Sequence, residues 1–118
     1  MRVWVSAAAL AALGSAGLAA ETVDHSQHMA MSDLTEASQA YLEINDRMHS
    51  GMAIEFTGNA DVDFVRGMIA HHRGAVEMAE VVIRHGADPE VRKLAEEVIA
   101  AQEAEIAWME GWLAANDI

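Results

Sequence analysis

Apolar residues recur at helical spacing over three segments of the chain, and no segment shows the alternation of a strand. The first run is Leu34, Ala37, Tyr41, Ile44, Met48 and Met52. Asp33 stands ahead of it with Glu36 three positions on, which predicts a capping-box start. Gly58-Asn59 breaks this helix, and Asp61 is the expected cap of a second, which runs to about His85 and stops at Gly86 in the C′ position. Asp88-Pro89-Glu90 opens the third, with an N-cap, a proline at the first helical position and an acid in the first turn. Its stripe is Val91, Leu94, Ala95, Val98, Ile99, Ile106, Met109 and Leu113. Three amphipathic helices with short connections predict an all-α antiparallel bundle over residues 33–118. Three helices leave one side open. A fourth is expected either from a short helix in the preceding arm or from a second copy, and a homodimer is the more usual cover for a long apolar face.

On a wheel of roughly 100° per residue, Phe64, Val65, Met68, Ala75, Ala79, Val82 and Ile83 form the expected buried face of the second helix. Arg66, Arg73, Glu77 and Glu80 lie opposite and read as a solvated face. His72 falls near the centre of the buried face, one turn after Met68, while His71 falls at its edge in line with Met78. Met68, His71 and His72 are therefore expected to converge within a turn. Met78, two turns beyond His71, fits an adjacent site better.

The residues before the first helix differ in character. Residues 1–20 combine Arg2, an apolar run from Val3 to Leu13 and small residues ending in Ala19-Ala20. That predicts a cleavable signal peptide, with cleavage near Ala19 or Ala20, and a periplasmic or secreted product with no membrane span after cleavage. Residues 21–32 have no period and read as a flexible arm carrying His25, His28, Met29 and Met31. Without the first twenty residues the chain has six basic residues against 19 acidic ones, a net charge of −13. Such a chain repels nucleic acid and anionic membranes. It has no cysteine, so a soft metal would have to be held by groups other than thiolates.

Thioether and imidazole supply such groups, and here they travel together. Five of the six histidines (His25, His28, His49, His71 and His72) have a methionine within four residues. His85 is the exception, and its place at a helix C-terminus accounts for it. Met48-His49-Ser50-Gly51-Met52 repeats on the first helix the theme of the second, and Met109 adds a thioether from the third. Gln102, in the middle of an apolar stripe, either orients a neighbouring imidazole or serves core hydrogen bonding. Each part has a plainer explanation. A lone histidine on an apolar face is more often a hydrogen-bonded core residue, methionine is a common gap filler, and Trp108 and Trp112 fit packing or a dimer contact. Two adjacent histidines beside a methionine are harder to dismiss, because burying two unpartnered imidazoles costs free energy.

The donor set selects the metal. Thioether with imidazole favours Cu(I), with Ag(I) as its mimic. Zinc prefers Cys and His, and calcium wants clustered oxygens in a loop the chain lacks. A di-iron bundle needs two Glu-x-x-His motifs, and none is present. There is no Gly-x-Ser-x-Gly elbow either, so binding rather than turnover is expected.

The run from Phe64 to Ala79, which contains Met68-Ile69-Ala70-His71-His72-Arg73-Gly74-Ala75-Val76-Glu77-Met78-Ala79, resembles the signature of the bacterial secreted family known as domain of unknown function 305. Met48-His49-Ser50-Gly51-Met52 before it resembles that family too, as do Gln102-Glu103-Ala104-Glu105-Ile106, Met109 and Trp112-Leu113 after it. The resemblance covers residues 33 to 114. It implies a ferritin-like helical bundle and an exported protein, and members of the CopM type are periplasmic copper-binding proteins that support copper tolerance. Carried over residue by residue, it implies metal ligation at Met48, His49, Met52, Met68, His71, His72, Met78 and Met109. Ala70 departs from the pattern, since many relatives have proline there.

The expectation is thus an exported Cu(I)-binding protein that sequesters copper or hands it to a delivery partner. Two other classes stay open: a helical interaction module with structural histidines, and a redox enzyme of ferritin-like ancestry.

Overall fold

The computed structural model describes residues 33–118. The expected signal peptide (1–20) and the arm (21–32), with His25, His28, Met29 and Met31, lie outside the described residues. The three helices are α1 (Glu36–Met52), α2 (Ala60–His85) and α3 (Pro89–Ala115), and no strand occurs among the described residues.

Local chemistry sets each boundary. Thr35, not Asp33, caps α1: its extended backbone lets Oγ1 accept from the Ser38 amide at 3.1 Å. Asn59, not Asp61, caps α2, with Oδ1 accepting from the amides of Asp61 and Val62 at 3.0 and 3.3 Å. Both corrections have one cause: the side chain that reaches the free first-turn amides belongs to the last extended residue. Asp61 and Asp63 instead occupy the first turn of α2, where their charge favours the positive end of the helix. Asp63 also ties down the preceding loop, accepting from the Thr57 amide, the Thr57 hydroxyl and the Gly58 amide at 2.9, 2.8 and 3.2 Å. The third start is as expected, with Asp88 Oδ1 accepting from Glu90 and Val91 ahead of Pro89 in the first turn. Gly86 ends α2, but with φ −75° it is not left-handed. A Cβ there would lie 2.5 Å from the Val82 carbonyl oxygen, so close approach of the backbone is what requires glycine.

The helices form an antiparallel all-α array in which α2 is central. It packs on α1 and on α3, while α1 and α3 barely touch each other. Towards α1 it offers a strip of small residues: Gly51 of α1 sits against Ala70, and Met48 lies on Gly74 so closely that an added Cβ would come within 2.6 Å of its sulfur. Towards α3, Val65 and Ile69 enclose Met109, with Met68, Ile106, Trp112 and Leu113 packed around them. Two buried stripes on one helix explain where the wheel misleads. Val62, Ile69 and Val81 are buried, and Phe64, expected inside, is 64% exposed.

Gly74 and Gly67 both sit inside α2, but only Gly74 has a neighbour where a side chain would go. Gly67→Ala should raise stability by about 0.5–1 kcal/mol through helix propensity. Gly74→Ala gains the same propensity yet should lose about 1–2 kcal/mol net, because α1 must be displaced; urea unfolding of both variants measures the difference. Asp63 gives a pH prediction. The Thr57 amide, helped by the Thr57 hydroxyl and the Gly58 amide, holds its carboxyl below the usual carboxylate range. Its contribution is therefore present above the unfolded-state value and is lost as pH falls through the lowered one. Asp63→Asn should lower stability near neutrality and flatten the acid-side loss below about pH 4, as read from unfolding midpoints against pH.

Candidate metal centre

The eight candidate ligands of α1 to α3 fall into three environments. Met68 and His72 of α2 and Met109 of α3 line one cavity of about 230 Å³ between those helices, together with Phe64, Glu105 and Trp108. Antiparallel packing explains the meeting. Met68 and His72 are one turn apart on α2, and Glu105 and Met109 are one turn apart on α3, so the two pairs face each other across the interface. Met109 is buried and Met68 partly so. The walls are otherwise apolar or aromatic.

Met48 stands apart. It packs into the α1–α2 interface on Gly74, in a separate cavity lined by Ile44, Arg47, Gly51, Ala70, Arg73 and Glu77. His49, Met52, His71 and Met78 are exposed. The rings of His71 and His72 have centroids 5.9 Å apart and planes 63° from parallel, so the adjacent histidines diverge. The convergence of Met68, His71 and His72 expected from the sequence is only partly realised, because about 100° of helix separates neighbours and α3 covers the side of His72 alone.

His72 has the most distinctive surroundings. Its side chain is 13% exposed, and Nε2 lies 2.5 Å from Glu105 Oε2. An ionised carboxylate only accepts, so Nε2 carries the proton and donates. Nδ1 is buried and has no hydrogen-bond partner. In the neutral ring with the proton on Nε2, Nδ1 presents a lone pair. A buried acceptor without a donor is costly, and a cation beside it would relieve that cost. Gln102 Oε1, on α3 one turn before Glu105 and Ile106, is likewise buried without a partner, which marks this part of the α2–α3 interface as short of donors.

Glu105 is the residue that sequence reasoning overlooked. Its signal was present: a carboxylate one helical turn before Met109 on a stripe that faces the histidine helix. Without the α2–α3 register, nothing distinguished it from Glu103 or Glu110. Glu110 instead pairs with Arg73 at 2.5 Å, and Glu77 with Arg47 at 2.7 Å. Both pairs are exposed and contribute little to stability.

Among the described residues no three His, Asp or Glu side chains converge as a metal-binding group. The donors that do gather are one imidazole, one carboxylate and two thioethers. Among those residues, too, no helix is long and apolar enough to cross a membrane.

No curated protein matches the chain. A family match covers residues 61–117, which takes in the whole Phe64–Met109 cavity and leaves Met48, His49 and Met52 outside it. The matching family is described as Domain of unknown function (DUF305), and residues 61–117 of the chain belong to it.

Proposed function

We propose that the protein binds copper as Cu(I), with Ag(I) as its mimic, through Met68, His72 and Met109, and that it acts outside the cytoplasm to sequester the metal or pass it on. One observation carries the reading. His72 lines a cavity with two methionines, its Nε2 donates to Glu105, and its Nδ1 is buried without a hydrogen-bond partner. Metal-binding histidines commonly have this arrangement, with a carboxylate orienting the ring through one nitrogen and the other nitrogen facing the metal. Two thioethers and an imidazole form a soft, largely neutral donor set suited to a monovalent soft cation. Glu105 supplies the one nearby negative charge.

The exposed residues His49, Met52, His71 and Met78 take a different part in this proposal. They are weak capture positions around the cavity, as His25, His28, Met29 and Met31 are in the arm. Met48, held on Gly74, acts mainly as a packing residue. Copper here is cargo, and the protein does no chemistry on it.

A second reading is favoured by the His72–Glu105 pair itself. In that reading the pair is a structural bridge between α2 and α3 in an interaction module, and exposed Trp108 meets a partner. Anaerobic titration with Cu(I) or Ag(I) separates the two. His72→Ala and Met109→Leu should each weaken binding by more than about tenfold, the loss that even outer-sphere changes cause at metal sites, while His71→Ala and Met78→Leu should have smaller effects. Met109→Leu keeps core volume, so its loss of binding should come with an unchanged helical spectrum. Affinity no tighter than micromolar, or unchanged in the His72→Ala, Met109→Leu double variant, would sink the copper site and leave the structural bridge.

A further inference from the structure

Trp108 occupies a place on α3 that core packing does not explain. It follows Glu105 by three residues and precedes Met109 by one, so it rises from the same turn as both. Glu105 holds the His72 ring, and Met109 is buried against α2. Trp112, one turn further on, packs against the cluster of Val65, Ile69 and Met109. Trp108 is instead 65% exposed, although an indole has more apolar area to bury than almost any other side chain. What Trp108 does border is the α2–α3 cavity, together with Met68, His72 and Met109.

The charges at this cavity give that position a use. Met68, His72 and Met109 are neutral donors, so a monovalent ion held by them keeps its full positive charge. Glu105 answers part of that charge through the His72 ring. An aromatic face can answer more. The faces of a ring carry the negative part of its quadrupole, and indole attracts a cation within roughly 6 Å of its centre more strongly than the ring of Tyr or Phe does. We infer that Trp108 belongs to the metal site, with its indole against the bound ion, and that it selects for a singly charged soft cation. The inference rests on the copper reading of Met68, His72 and Met109, to which it adds a group that is not a donor atom. Cu(I) and Ag(I) gain from the ring because they are soft and singly charged. A divalent ion such as Zn(II) gains little, because its larger desolvation cost calls for charged ligands. Phe64, which borders the same cavity, offers a weaker form of the same face.

Ag(I) is the probe, because its valency does not change during a titration. A cation against an indole quenches its emission and shifts its near-ultraviolet absorption. At saturating Ag(I) both changes should occur in the parent chain, persist in Trp112→Phe and vanish in Trp108→Leu. Trp108→Leu should also weaken Ag(I) and Cu(I) binding by about fivefold or more while Zn(II) affinity stays within about twofold. Trp108→Phe should recover part of the lost affinity without recovering the indole signal. Trp108 is exposed, so both variants should keep the parent's helical spectrum. Should the leucine variant unfold, Trp108→Phe decides, since loss of the Ag(I) signal there and its survival in Trp112→Phe assign it to Trp108. Two results would overturn the inference and leave the copper site standing: an Ag(I) signal that survives in Trp108→Phe, or Ag(I) affinity that Trp108→Leu leaves unchanged. Ag(I) uptake that ignores the His72→Ala, Met109→Leu double substitution would overturn the copper reading, and this inference with it.

Discussion

The contact between Met48 and Gly74 governs this fold. With no side chain on Gly74, the Met48 thioether lies where a Cβ would be, and α1 settles close to α2 along a strip of small residues. That leaves the opposite side of α2 free for α3, whose bulkier contacts gather around Met109. α1 and α3 then have no reason to meet. A central helix packed on both flanks must divide its apolar residues into two stripes, and this explains why Val62, Ile69 and Val81 are inside while Phe64 is outside.

The candidate metal centre follows from the same division. Because α3 approaches α2 from one side, it encloses His72 and Met68 and leaves His71 and Met78 to solvent. The α2–α3 register then supplies Glu105 to one ring nitrogen and leaves the other buried without a partner. In most interiors such an atom finds a donor. Here none of the residues that line the cavity with His72 hydrogen-bonds Nδ1, and two of them are thioethers suited to a soft cation. The chemistry therefore depends on the packing: a shift of α3 by one turn would replace Glu105 with Ala101 and Met109 with Glu105.

The array is also two-sided. The Arg47–Glu77 and Arg73–Glu110 pairs lie on one side, between helices whose long side chains reach across to one another. The other side carries the exposed Phe64 and Trp108, with Asp61 and Glu105 beside them. Surface ion pairs cost little and stabilise little, so the charged side keeps the protein dispersed in water without contributing much to the core.

Much of this was fixed locally and could be read directly. The helical spacing of apolar residues, the Gly58-Asn59 break, the Asp88-Pro89-Glu90 start and the pairing of Met with His are properties of short stretches, and helices respond to short stretches because their hydrogen bonds span only four residues. The caps were misplaced by two residues for a related reason. Several nearby side chains were able to cap, and the backbone of Thr35 and Asn59 decided between them. Which candidate ligands meet was not local at all. Met68, His72, Glu105 and Met109 are brought together by the antiparallel register of α2 and α3, and Met48 is removed from them by the bareness of Gly74 forty degrees around the helix from Ala70. A sequence records which donors a chain owns; their grouping depends on which faces of α2 are covered, and tertiary packing alone decides that.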